Sequence, residues 1–258
     1  MHRFYVPPED IHQEQGQEEQ AVIKGQEFRH LAKVLRLLPG EAVTIFDGRG
    51  REYSGKIVSL QKGEALVRIE ESLLFPRESQ LEVWLVQGLP KGEKMELIIQ
   101  KATELGVRGI IPLKAQRCVV RLADKKEAER RKRWQKVALE AAKQCRRPVI
   151  PTVLPACSLE EFLQELPARR HLLIPWEEGG CSFKEALTAL SAKEKESGAA
   201  GVPVYLVIGP EGGFAAGEVA QVQSGGGIPL SLGPRILRTE TAGLAALAAL
   251  MFAWGDWG

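Results

Sequence analysis

VYLVIGPEGGF occupies residues 204–214. Five apolar residues run into a Gly-Pro pair, one acid, two glycines and a phenylalanine. The apolar run does not alternate with polar residues, so it reads as a strand covered on both faces, as in a parallel sheet. Gly-Pro and Gly-Gly mark a tight connection after it. The run therefore leaves a single carboxylate, Glu211, in a bendable loop at the carboxyl end of a buried strand. Open α/β sheets bind their ligands at such ends.

The same alternation extends on both sides of this stretch. LEVWLVQG (81–88), VRGIIPL (107–113), PVIPTVL (148–154), HLLIPW (171–176), PVYLVIG (203–209) and IPLSLG (228–233) read as strands. Helical spacing falls at 93–106, 125–146, 158–166, 182–190, 217–223 and 239–254. Gly106 is placed to close the first of these helices, and Ser158 with Glu161 forms a capping box at the third. SAKEKESGAAG (191–201) reads as a polar surface loop. Strands alternating with helices in this way predict an α/β fold built on a parallel sheet.

The first 75 residues differ. AVTIFDG (42–48), REYSGKIVSL (51–60) and EALVRIEES (64–72) are short β-type runs separated by DGRG and QKGE. They predict a small antiparallel barrel or sheet. EFRHLAKVLRL (27–37) has helical spacing and stops at Pro39-Gly40. Pro76 and RESQ form a linker, so the chain divides into domains at 1–75 and 76–258.

Composition narrows the function. The chain has 258 residues, 44% hydrophobic and 26% charged, and a net charge of +2, which is ordinary for a soluble globular protein and does not announce a nucleic-acid binder. The start, MHRFYVPPEDIHQ, lacks the apolar core of a secretory signal. No run reaches the ~18 apolar residues of a membrane span. Cys118, Cys145, Cys157 and Cys181 are dispersed and form no CxxC pair, so no zinc site or disulfide framework is expected. They read as reduced, buried thiols of a cytoplasmic protein. The four histidines show no metal-ligand spacing. One segment is locally basic: KKEAERRKRWQKVALEAAKQCRRP (125–148) could bind phosphate backbone or be a solvated helix face.

Three loops lie where a ligand should be: PWEEGG (175–180), GPEGGF (209–214) and LGPRILRTET (232–241). No GxGxxG, GxxxxGK[ST] or GxSxG motif occurs, so a classical dehydrogenase, a P-loop enzyme and a hydrolase triad are unsupported. Arg235, Arg238 and Glu240 with two threonines gather at the start of an apolar helix. They are candidates for catalysis or for surface ion pairs.

Taken together, IGPEGGF and SLGPRILRTETA are very similar to the signature of the RsmE-type 16S ribosomal RNA uridine-N3 methyltransferases of the SPOUT superfamily. RFYV, HLAKVLRLLPGE (30–41), KGEKMELIIQKATELGV (91–107), RW…EAAKQCRR (133–147) and LLIPWEE (172–178) extend the resemblance over nearly the whole chain. It implies an N-terminal PUA-like β-barrel, a C-terminal domain with a trefoil knot, a homodimer, and S-adenosyl-L-methionine as cofactor. Relatives carry Ser-Pro after GGF; here Ala215 and Ala216 stand there, so the next helix loses its cap or moves it to Gly217.

The resemblance places the cofactor against Leu173, Ile174, Ile208, Gly209, Pro210, Glu211, Gly212, Leu230, Leu232, Gly233, Ile236, Leu237 and Thr241. Glu211 either serves the ligand or accepts turn N–H groups. Methylating uracil N3 requires an unpaired base and loss of the N3 proton. Arg235 and Arg238 are candidates to hold the resulting charge. Glu240 is a possible base, but its arginine neighbours make it a weak one, and water is the alternative. RNA contacts are expected from Arg3, His30 and Arg36 in the barrel and from Arg130, Arg131, Arg133 and Arg147. The C-terminal helix, with Trp254 and Trp257, is either a dimer interface or buried within one subunit. Two other readings are an RNA-binding assembly factor without catalysis and a nucleotide enzyme using GPEGG as a phosphate cradle. The acid, with no lysine following it, argues against the cradle.

Overall fold

The computed structural model describes residues 2–12, 19–73, 78–118, 124–197 and 201–257. The chain divides into two compact units: Met1–Glu78 with Ala142–Ile150, and Ser79–Ala141 with Pro151–Gly258. Segment 142–150, assigned from sequence to the second domain, therefore belongs with the first.

The first unit is one six-stranded sheet. Its strands are β1 (His2–Tyr5), β2 (Ile11–His12), β3 (Gln20–Ile23), β4 (Ala42–Phe46), β5 (Glu52–Gln61) and β6 (Glu64–Leu73), in the order β1-β4-β5-β6-β3-β2. The β1–β4 pair is parallel and the others are antiparallel. Two register shifts along β5 and β6 mark bulges, which bend a long hairpin. The helix expected over 27–37 is instead α1 (Gly25–Arg29) running into a π-type turn at His30–Val34. Phe4, Ile23, Leu31, Ile45 and Val67 are fully buried and form the core.

Segment 142–150 is fastened into this unit by side chains. The Arg147 guanidinium meets the Glu78 carboxylate with both ends, at 3.2 and 2.7 Å. Arg3 donates to Glu52 at 2.8 Å and to the Arg147 carbonyl at 3.0 Å, and its guanidinium lies 3.7 Å from the Phe46 ring centroid. Ile150 donates to the Gly48 carbonyl.

The second unit is a wholly parallel sheet with helices. In chain order it contains β7 (Val83–Gly88), α2 (Lys94–Glu104), β8 (Gly109–Lys114), α3 (Asp124–Cys145, whose last turn from Ala142 belongs to the first unit), β9 (Thr152–Val153), β10 (Cys157–Ser158), α4 (Leu159–Gln164), β11 (His171–Pro175) and β12 (Cys181–Ser182). Then follow α5 (Phe183–Ser197), β13 (Val204–Ile208), α6 (Ala216–Ser224), β14 (Ile228–Ser231) and α7 (Thr239–Trp254). The strand order is β10-β8-β7-β13-β11-β14-β12, with β9 beside β8. The apolar run 204–208, β13, lies between β7 and β11 and is buried almost throughout. Val86, Ile111, Leu172, Ile174 and Val207 face one layer with Phe162 of α4 and Val219 and Val222 of α6.

On the other face α7 packs on β7 and β13. It comes close because Gly243 has no side chain: a Cβ there would sit 3.3 Å from Leu85, Ile208 and Gln87. The predicted capping box is present: Ser158 Oγ accepts from Glu161 N and Glu161 from Ser158 N. Two expectations are corrected. The run 148–154 keeps only Thr152–Val153 as strand, since 148–150 pair with the first unit. Helix α5 continues to Ser197 through residues read as loop, because Ala, Lys and Glu favour helix and no glycine or proline interrupts before Gly198.

Candidate active site

The carboxyl ends of β11, β13 and β14 deliver three loops to one place. Trp176 N donates to the Leu230 carbonyl at 2.9 Å, which holds the loop after β11 against β14. The loop after β13 turns at Gly213, whose φ of +66° favours glycine. A Cβ at Gly213 would also lie 3.1 Å from Glu177 Oε1, so the missing side chain lets the 175–180 loop approach. The loop after β14 ends at Arg238, the first non-helical residue before α7.

Between them lies a cavity of about 410 Å3, walled by Ile208, Gly209, Pro210, Glu211, Phe214 and Leu237, with Lys94, Trp176, Glu177, Arg238 and Thr239 among its polar and aromatic lining. A smaller cavity of about 230 Å3 adjoins it, lined by Leu232, Gly233, Arg235 and Ile236. Trp176, Glu177, Ile236 and Leu237 line both.

Thr239 builds the floor. Its hydroxyl donates to the Gly209 carbonyl at 2.5 Å and accepts from Gln87 Nε2 at 2.9 Å. Gln87 is fully buried at the end of β7 and also donates to the Gly88 carbonyl. The first residue of α7 is thereby tied to the strand ends below it.

The carboxylates are held unequally. Glu211 Oε1 accepts from Lys91 N at 3.0 Å and Lys94 Nζ at 3.2 Å; the same ammonium reaches Glu240 Oε2 at 3.2 Å. Burial works to raise the Glu211 carboxyl, but its own N–H, the Lys91 N–H and the Lys94 ammonium outweigh this and hold it below its ordinary value. Glu240 is also lowered, first by its own backbone N–H and then, against burial, by Lys94 and Arg238. Lys94 is raised in turn by Glu211 and Glu240. The Glu211 reading as an acceptor of N–H groups thus describes its present contacts. No lysine follows the acid in sequence, but Lys94 reaches it from α2, 117 positions earlier. The Lys94 ammonium, like the arginine expected beside Glu240, works against proton uptake there.

Of the residues expected around the cofactor, Ile208, Gly209, Pro210, Glu211, Ile236 and Leu237 line the large cavity, and Leu232 and Gly233 the small one. Leu173, Ile174 and Leu230 are fully buried in the sheet and line neither. Strand residues point into the layers, and the ligand face is made by the loops that follow. Gly212 turns away, its carbonyl accepting from Arg117 at 3.1 Å. Thr241 is exposed on the next face of the helix, and Thr239 takes the position expected of it. Arg238 lines the large cavity and Arg235 the small one. Sequence reasoning passed over Lys94, Trp176, Glu177, Phe214 and Thr239. PWEEGG, GPEGGF and LGPRILRTET, recognised as loops at strand ends, contain all of these but Lys94.

The expected RNA contacts divide similarly. Arg3 and Arg147 are committed to Glu52 and Glu78 within the first unit, and burial leaves them little surface. Arg131 donates to the Val153 carbonyl and Arg133 pairs with Glu96 at 2.7 Å. His30 is half-buried with its ring edge-on to Phe4. Arg36 and Arg130 are exposed. Ala215, not Gly217, stands at the N-cap of α6; its side chain offers no acceptor, and Glu218 supplies half a cap by accepting from Ala215 N at 2.9 Å.

Comparison with known proteins fits this geometry. Residues 77–251 match the RNA methyltransferase domain model and residues 23–70 the RNA methyltransferase PUA domain model. Ribosomal RNA small subunit methyltransferase E of Bacillus subtilis is 38% identical over 230 residues, covering 89% of each chain. The Mycobacterium bovis protein of the same name is 33% identical over 92% of this chain and 88% of its own. The crystal structure of the Neisseria gonorrhoeae enzyme bound to S-adenosyl methionine has a TM-score of 0.84 and 35% identity over 100% of both chains. A Legionella pneumophila protein solved in complex with the same cofactor has a TM-score of 0.81 and 34% identity over 98% of both. The loops that build the cavity and the fold that carries them are thus those of one enzyme group, and the chain belongs to the ribosomal RNA small subunit methyltransferase E family.

Proposed function

We propose that this protein transfers a methyl group from S-adenosylmethionine to N3 of a specific uridine in 16S ribosomal RNA of the small subunit. The observation that carries the reading is the loop-built cavity at the ends of β11, β13 and β14, in a chain 35% identical over its whole length to a structure holding that cofactor. The residues fit the group. Ile208, Phe214, Ile236 and Leu237 offer apolar walls for a purine ring, and the Gly209–Glu211 backbone approaches without side-chain hindrance. Carboxylates at the cavity suit a cationic ligand. Bound there, the cofactor supplies an electrophilic methyl carbon on a sulfonium sulfur.

The chain's own residues do the remaining work. The lining loops exclude water and fix the reacting partners in line, which is the larger part of catalysis by positioning. Arg238 is exposed on the cavity wall, and its guanidinium makes no hydrogen bond to another described residue. Its five donors are therefore open to the two ring carbonyls flanking N3, where charge gathers once the proton has gone. Arg235, on the adjoining cavity, is placed to meet the RNA backbone or the same base.

Three further parts belong to this reading. The first unit, 1–75 in essence, binds RNA, with Arg36, His30 and the exposed apolar Val34 and Leu38 on its helical turn and the loop after it. The chain from β11 to α7 forms a trefoil knot of the SPOUT kind, supported by β14 entering the sheet between β11 and β12 and by Thr239 closing back on Gly209. The protein works as a homodimer in the cytoplasm, and α7 leaves Phe252 69% exposed as an interface residue. The test is transfer of label from the methyl of S-adenosylmethionine into small-subunit RNA lacking the modification, dependent on the protein.

A further inference from the structure

The reaction proposed above needs an acceptor for the uracil N3 proton, and the geometry points to Glu177 as that acceptor, a catalytic residue working at the seam of the two cavities. This inference rests on the proposed function and extends it.

Three carboxylates stand at or beside the site. Glu211 and Glu240 share the Lys94 ammonium at 3.2 Å each, and Glu211 also takes the Lys91 N–H. One oxygen of each is engaged by the ammonium, and their proton affinity is reduced. Glu177 makes no hydrogen bond or salt bridge to another described residue, and its residue is exposed. An ionised carboxylate in that state has both oxygens open to accept.

Its position suits the task. Glu177 lines both the large and the small cavity, together with Trp176, Ile236 and Leu237. A reaction between two ligands takes place where their sites meet, and among the described residues Glu177 is the one acid on that shared wall. Arg238 lines the large cavity and Arg235 the small one, so each side of the seam also presents a guanidinium. The fold reserves room for the carboxylate: Gly213, at φ +66°, would bring a Cβ to 3.1 Å from Glu177 Oε1. Trp176 beside it is anchored through its backbone to Leu230, which limits the wandering of a loop residue.

The step balances simply. The N3 proton passes to a Glu177 oxygen, and the N–H bonding pair remains on N3, shared with the two ring carbonyls. The N3 anion takes the methyl carbon, its N–C bond forming as the methyl–sulfur bond breaks and that pair leaves with the neutral thioether, and the protonated acid returns its proton to water after the product leaves.

The test compares Glu177→Gln with the wild type and with Glu178→Gln, a neighbouring exposed acid, on small subunits lacking the modification. Under single-turnover conditions Glu177→Gln should fall by about 100-fold or more, the usual contribution of a general base. Cofactor affinity, measured by calorimetry without RNA, should stay within about twofold, since no transition-state contact is involved in that binding. RNA made with 5-fluorouridine, whose N3–H is more acidic, should recover much of the lost rate in the variant. A rate within about threefold of wild type overturns the proposal. So does a loss explained by weaker cofactor binding, which would make Glu177 a cofactor contact, and so does an equal deficit on both RNAs. A wild-type protein that leaves uridine N3 unmethylated on these subunits sinks the functional reading itself, and the proposal with it.

Discussion

Thr239→Val is the sharpest probe of how the site is held. The substitution keeps the shape of the side chain and removes its hydroxyl, which joins Gln87 Nε2 at 2.9 Å to the Gly209 carbonyl at 2.5 Å. The two arms differ in cost. Gln87 is fully buried, so one of its amide hydrogens loses its partner where no water reaches, at about 1–3 kcal/mol. The Gly209 carbonyl lies on the cavity wall and can turn to water, so its arm costs only about 0.5–1.5 kcal/mol. The sum is about 1.5–4.5 kcal/mol, and Thr239→Ser, which keeps the hydroxyl and loses one methyl, should cost about 1 kcal/mol. Urea unfolding at unchanged slope reads the difference as a shift in midpoint. Adding Gln87→Leu to Thr239→Val removes the orphaned donor and should restore part of the loss, by at least about 1 kcal/mol relative to additivity. Cofactor affinity should fall with Thr239→Val and not with Thr239→Ser, because only the former frees Gly209. The reasoning is refuted if Thr239→Val and Thr239→Ser are equally stable and bind the cofactor alike.

Arg238→Ala should lower turnover by about 100- to 1,000-fold with little change in cofactor affinity, as for loss of one donor to developing charge; single-turnover rates with calorimetry decide it. Glu211 and Glu240 have folded pKa values below their ordinary 4.5, so the stabilisation they add is complete above that value and is lost as pH falls through the folded pKa values. Lys94→Met removes one cause of both shifts, so the difference in stability between wild type and variant should shrink steadily from pH 6 to pH 3, followed by urea midpoints, with the pH limits being about those where a carboxylate titrates. Arg130→Ala should reduce the salt slope of RNA binding by about 1, whereas Arg3→Ala and Arg147→Ala should act on thermal stability first. Light scattering should return the mass of two chains.

The strands β7, β8, β11 and β13 were legible because each is a short apolar run bounded by turn residues, and a buried parallel strand needs nothing else. Helix α7 was legible for the same reason, being apolar over its length. The Ser158–Glu161 cap was legible because it is local. The loops at the strand ends followed from the sheet rule, and the role of GPEGG and LGPRILRTET from their resemblance to a family. What escaped was whatever depends on neighbours distant in sequence. Lys94 reaches Glu211 across 117 positions, and no spacing rule connects them. Arg3 and Arg147 look like free basic residues until Glu52 and Glu78 are placed beside them. The displacement of 142–150 into the first unit has the same origin. Leu173 and Leu230 belong to the strands that carry the loops and line neither cavity, whereas Ile208, the last residue of β13, reaches the wall.

The central claim is that this chain methylates N3 of uridine. The direct measurement is to incubate it with S-adenosylmethionine labelled in the methyl group and small ribosomal subunits lacking the modification, digest the RNA to nucleosides, and identify the labelled one by chromatography and mass. The account predicts that the label appears in 3-methyluridine alone. Label in any other nucleoside, or none in RNA from a protein that binds both cofactor and subunit, would contradict it.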